Sequence, residues 1–120
     1  MDYLEIVYRS YDSIIDGGFV LSESPMLDRV VVLVTAAQAV LDNGGFERFF
    51  ESSFDGNPEV EDFIVSYTEI GSVDSSTAIE SALRLKGVSG INKFDKLNQI
   101  LWDKSETNYL NLAKYIEAHS

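Results

Sequence analysis

An all-α fold, a compact bundle of about six or seven helices around a central apolar one, follows from three features of the sequence. Apolar residues recur at intervals of three and four in separate segments along the chain. Glycine or proline marks short breaks between those segments. The one β-branched run, Val30–Val34, continues into Ala36-Ala37-Gln38-Ala39, which suits a helix, and no second strand is evident to pair with it. The 120 residues and 45% hydrophobic content fit one domain spanning residues 1–120, with core enough to fold without disulfide or metal.

In chain order, Leu4, Val7, Tyr8, Tyr11, Ile14 and Ile15 form one apolar stripe. Gly17-Gly18 closes that first helix, because glycine accepts the left-handed conformation. Ser24-Pro25 reads as an N-cap followed by proline at the first helical position. The helix it opens runs to about Asp42 and is apolar almost all round, which places it in the middle of the bundle. Asn43-Gly44-Gly45 breaks the chain, and Phe46, Phe49 and Phe50 restart it as a short helix with an aromatic face.

Asn57-Pro58-Glu59 is a second cap, proline and acid start, with Val60, Phe63, Ile64 and Tyr67 on one stripe and Gly71 as the stop. Thr77 and Glu80 have capping-box spacing and predict a helix with Ile79, Ala82 and Leu83 inward and Gly87 behind it. A polar loop, Val88 to Asn92, leads to Phe94, Leu97 and Leu101, then to Tyr109, Leu112, Ala113 and Ile116. This tail reads equally as one helix or as two with a break near Ser105.

Charge is the most informative number. Twenty acids against nine bases give −11. From Met1 to Glu80 sixteen acids face only Arg9, Arg29 and Arg48, a balance of −13, whereas Ser81 to Ser120 carries +2. The densest stretch holds Asp42, Glu47, Glu51, Asp55, Glu59, Glu61, Asp62, Glu69, Asp74 and Glu80 against Arg48 alone. Such a surface repels nucleic-acid phosphates and anionic lipid, so direct nucleic-acid and membrane binding are not expected and a basic protein is the natural counterpart. The plainer alternative is that the acids only keep a small protein in solution.

Catalytic and metal chemistry is thin. The absence of cysteine excludes disulfides, thiolate zinc sites and a cysteine nucleophile. The sole histidine, His119, lies next to the last residue, where a rigid triad is hard to build. Gly87-Val88-Ser89-Gly90 lacks the spacing and the lysine of a phosphate loop. Asp55-Gly56-Asn57-Pro58-Glu59 begins like a calcium loop, but Val60 stands where the sixth-position glycine should be and Ser66 where the twelfth-position acid should be. Glu59, Glu61 and Asp62 fit the first turn of a helix better than acid–base catalysis. No cofactor is expected. The acid-bearing start Met1-Asp2-Tyr3-Leu4-Glu5 is unlike a signal peptide, and the apolar stretch Val30–Leu41 is too short to span a bilayer, so a cytoplasmic location is the default.

Asn43-Gly44-Gly45-Phe46, followed by Phe49-Phe50, is the most distinctive local feature. Asn43 can cap the incoming helix or the turn, Gly44 or Gly45 takes a positive φ, and the three phenylalanines read as core rather than as a ligand cage. This run resembles the signature of a bacterial family of small helical domains, the DNA-mimic-protein-like family. The likeness continues through Tyr67-Thr68-Glu69-Ile70-Gly71 and Ala78-Ile79-Glu80-Ser81-Ala82-Leu83 to Tyr115-Ile116. It implies an all-α fold and, for the member that names the family, imitation of the DNA charge pattern to occupy a DNA-binding protein. Any such activity here would reside in the surface acids, namely Asp42, Glu47, Glu51, Asp55, Glu59, Glu61, Asp62 and Glu69.

The leading expectation is therefore a non-enzymatic acidic domain that binds a basic protein partner, such as a DNA-binding protein. An immunity-type protein that neutralises a toxin is the alternative, with a small hydrolase or metal-binding protein behind it. Homodimerisation through aromatics such as Trp102 and Tyr109 is compatible with the sequence but not demanded by it.

Overall fold

The computed structural model describes residues 2–120; Met1, where the reading of the N-terminus begins, lies outside them. The described chain is all-α. Its six α-helices are α1 (Tyr3–Asp16), α2 (Met26–Glu51), α3 (Val60–Glu69), α4 (Val73–Leu85), α5 (Asp95–Asp103) and α6 (Ser105–His119). A 3-10 turn at Leu21–Glu23 precedes α2. The tail is thus two helices, parted at Lys104.

The apolar helix takes the central place that its composition dictates. Every residue from Val30 to Thr35 is buried, as are Ala37, Gln38 and Leu41. α2 packs against α1, α3, α5 and α6, which leaves little of its Val30–Leu41 segment to water, while Asp42, Glu47, Arg48 and Glu51 further along it stay exposed. By contrast α1 buries only Val7 fully, and Tyr8 of its expected stripe is 44% exposed.

The expected break inside α2 narrows to one residue. Gly45 has φ 66° and ψ −162°, a combination essentially confined to glycine, while the residues on either side stay helical. Asn43 donates its side-chain Nδ2 to the Ala39 carbonyl at 3.0 Å, closing the incoming segment. Gly44 lies against the Arg48 side chain. Phe46 and Phe49 are buried and Phe50 is half-buried, so the aromatic triplet is core.

Three helix starts differ from the sequence reading. Ser24 does not cap α2. Its hydroxyl donates to the Val20 carbonyl at 2.7 Å and is spent on the 3-10 turn, leaving Pro25 as the N-cap. Asn57 does not cap α3 either, because it takes a left-handed turn conformation at φ 49°. Glu59 and Asp62 form a capping box instead, with Asp62 Oδ2 accepting from the Glu59 N–H at 2.8 Å. Thr77 and Glu80 lie inside α4, which begins four residues before Thr77, at Val73. The cause is the way α3 ends. Gly71, at φ 81°, donates to Thr68 O and Ser72 donates to Tyr67 O, a Schellman closure that turns the chain within Ile70–Ser72.

Candidate protein-binding surface

The expected carboxylates divide by what they touch. An aromatic cluster joins Phe49 to Phe63 (5.0 Å between ring centroids), Phe54 to Phe63 (4.9 Å) and Phe46 to Phe49 (6.0 Å). It ties the C-terminal part of α2, the following loop and the start of α3 into one end of the bundle. Glu47, Glu51, Asp55 and Glu61 each lie within two residues of one of these rings, and all four are exposed. Glu59 and the half-buried Asp62 belong to the same end, at the mouth of α3. Glu69, at the far end of α3, is about 14 Å away at 1.5 Å of rise per residue.

Only some of these acids are free of internal duties. Glu47 accepts from Asn98 Nδ2 at 3.0 Å and Glu69 from the Tyr115 hydroxyl at 3.2 Å. Asp42 accepts from Gln38 Nε2 at 2.8 Å and from Ser105 Oγ at 2.7 Å. Glu59 and Asp62 cap α3. Among the described residues Glu51, Asp55 and Glu61 make no side-chain hydrogen bond or ion pair, so their charge faces water alone.

Asp55 also acts on α1, without any sequence signal. Burial first, and then the carboxylates of Asp55 and Asp12, hold the Tyr11 phenol above its ordinary pKa. A spacing argument within α1 could not have found a neighbour in the loop after α2.

Compensating cations are scarce. Among the described residues the only ion pairs are Arg84–Glu80 at 2.6 Å and Lys104–Asp74 at 3.6 Å, both anchored on α4. Arg48, the one base in the acidic stretch, reaches no carboxylate within 4.0 Å and instead covers Gly44.

Beneath the surface lies a polar hub that the sequence did not reveal. Gln38 Oε1 accepts from the Tyr67 hydroxyl at 3.0 Å and from Asn108 Nδ2 at 2.9 Å, while its Nε2 also reaches the Leu101 carbonyl at 3.3 Å. Asn108 continues to Ser75 Oγ at 2.9 Å. Gln38, Tyr67, Ser75 and Asn108 are all buried, so the network links α2, α3, α4 and α6 where water cannot substitute. Burial raises the Tyr67 hydroxyl well above its ordinary pKa, with Tyr109 and Asp42 adding to the effect. The one available signal was Gln38 itself, which with Thr35 interrupts the apolar stretch Val30–Leu41.

Among the described residues no three His, Asp or Glu side chains gather as metal ligands. His119 stacks on Tyr115 at 3.9 Å, and its Nδ1 lies 2.8 Å from the Tyr115 carbonyl oxygen. Tyr109 is 8% exposed and unsuited to a dimer contact, whereas Trp102 is 44% exposed with its indole N–H donated to the Leu41 carbonyl at 2.7 Å. No described helix is long and apolar enough to cross a membrane.

An all-α bundle with acids that are largely unpaired on its surface and a buried polar network inside defines the class: a small acidic helical domain. A family model described as DMP19-like protein matches residues 23–119, and the chain belongs to that family. The match takes in α2 to α6 and leaves α1 outside it. No curated protein and no solved structure matches the chain.

Proposed function

We propose that this chain is a non-enzymatic protein-binding domain whose acidic end receives a basic site on a protein partner, of the kind a DNA-binding protein presents. One observation carries the reading. Of the ten acids from Asp42 to Glu80, only Asp74 and Glu80 meet a cation. The other eight create a negative potential that burdens the folded chain with self-repulsion and that a cationic surface relieves. Glu51, Asp55 and Glu61, held around the aromatic cluster and free of internal bonds, are its centre, with Glu47 beside them. The family resemblance agrees with this reading, since a DNA mimic needs exposed carboxylates on a rigid frame.

The test uses the wild-type chain and the Glu51→Gln/Asp55→Asn/Glu61→Gln variant as baits in source lysate at about 50 and 200 mM salt. The expected result is a basic protein held by wild type at low salt, released at high salt and not held by the variant. Capture that is indifferent to salt and to the three substitutions sinks the proposal. Displacement of the captured protein from DNA then identifies a mimic, and rescue from a toxic one identifies an immunity protein.

A further inference from the structure

A second surface of opposite character runs between α4 and α5. On α4, Asp74, Thr77, Ala78, Ser81 and Leu85 follow one another at helical spacing along one edge. On α5, Leu97, Ile100 and Asp103 form the facing edge, with Lys104 just past the helix end. Two hollows, of about 360 and 700 Å³, share Ser81 and Leu97 and therefore join into one trough. Ala78 and Ser81 are too small to fill it. Leu85, Leu97 and Ile100 are each only half-buried, which leaves apolar surface along the trough. From Asp74 to Leu85 the trough is about 17 Å long, the length of three turns of a docked helix.

One mouth of the trough is the basic spot of an acidic protein. Arg84, Lys93 and Lys96 line it with Asp95, and Arg84 is already paired with Glu80 at 2.6 Å, which leaves the two lysines as its unpaired cations. Lys93 is partly engaged, donating to the carbonyls of Lys86 at 3.0 Å and Val88 at 2.6 Å at the end of α4. Lys96 is exposed and reaches no carboxylate within 4.0 Å. The loop at this mouth also holds apolar side chains in water, Val88 at 49% and Ile91 at 94% exposure. Cations beside exposed aliphatic residues suit an occupant that brings both carboxylates and an apolar stripe.

The geometry points to a docking site for an acidic amphipathic helix of a protein partner, its apolar stripe along Leu85, Leu97 and Ile100 and its carboxylates at Lys96 and Lys93. This site is independent of the acidic end and selects a partner of opposite charge.

The test is selection of a phage-displayed library of random 16-residue peptides on the intact protein. Recovered peptides should carry apolar residues at i, i+3 or i+4 and i+7, with Asp or Glu towards one end. Labelled copies, followed by fluorescence anisotropy, should lose at least tenfold in affinity on Ser81→Trp, which fills the trough. They should lose at least threefold on Lys96→Glu, a surface change that spares the fold. Enrichment of basic peptides alone overturns this inference while supporting the acidic-end reading. Recovery of no helical consensus, or binding unchanged by both substitutions, also overturns it.

Discussion

The Asn98 side chain caps a helix that belongs to another part of the chain: its Oδ1 accepts from the Phe46 backbone N–H at 2.8 Å. Phe46 follows Gly45, whose backbone conformation interrupts α2 and strands that N–H inside the core. Asn98 arrives from α5, and its Nδ2 goes on to Glu47. A Cβ on Gly45 would lie 2.6 Å from Asn98 Nδ2, so the glycine is required twice, for its backbone angles and for its closeness to the cap.

Gly45→Ala should destabilise the fold by about 3 kcal/mol or more, combining backbone strain of ~1–3 kcal/mol with displacement of a buried cap. Asn98→Ala should cost about 1–3 kcal/mol by leaving the Phe46 N–H unpaired. The double variant should fall short of the sum, because the clash disappears with the Asn98 side chain. Urea denaturation of the four proteins gives the coupling, and strict additivity would contradict the arrangement.

Gln38→Ala should rank among the most damaging single changes, at about 3 kcal/mol or more, since it leaves Tyr67 and Asn108 unpaired and opens a cavity. Gln38→Glu keeps the size but introduces a carboxylate beside that of Asp42. It should be tolerated better at low pH than at pH 7, which chemical denaturation at the two pH values measures directly.

Alkaline stability follows from the tyrosines. Burial raises the Tyr67 and Tyr109 hydroxyls above the ordinary value of 10.0. Both stay protonated in the fold while an unfolded chain releases those protons above that value. Their contribution is therefore whole below about pH 10 and declines as pH rises beyond it. Tyr67→Phe should cost about 1 kcal/mol at neutral pH by removing the bond to Gln38, yet show a shallower fall above pH 10. Parallel pH profiles for the two proteins would contradict this.

Thr35 is buried at 4% exposure, and its hydroxyl has no hydrogen-bond partner. Valine has the same shape without the hydroxyl. Thr35→Val should stabilise the protein by about 1 kcal/mol, seen as a higher melting temperature.

The surface acids should separate by role. Glu51→Gln, Asp55→Asn and Glu61→Gln should each change stability by no more than about 0.5 kcal/mol. Asp42→Ala should cost about 1–2 kcal/mol, because Gln38 and Ser105 both donate to that carboxylate. Equal effects from all four would show that the internal bonds of Asp42 carry no weight.

The stripes of α1 and α3, the glycine stop at Gly71 and the break beside Phe46 were all legible in the chain, because helical periodicity and glycine's backbone freedom act over a few residues. Helix starts were less so. Ser24, Asn57 and Thr77 each carry a capping side chain, and each lost the role to a competing contact: the 3-10 turn, a left-handed turn and the Schellman closure of α3. Such competition turns on how the chain enters and leaves each helix, which residue type alone does not specify.

Local pattern and composition determined an all-α bundle, a helix destined for its interior, and a strongly negative first two thirds. Each is a property of neighbouring residues or of a sum over them. Tertiary structure alone decided which carboxylates are spent internally, that Gln38 anchors a buried network, and that α4 and α5 leave a trough between them. The reason is distance along the chain. Asn98 caps Phe46 from 52 residues away and Asn108 reaches Gln38 across 70, and pairings so remote exist only once the helices have packed.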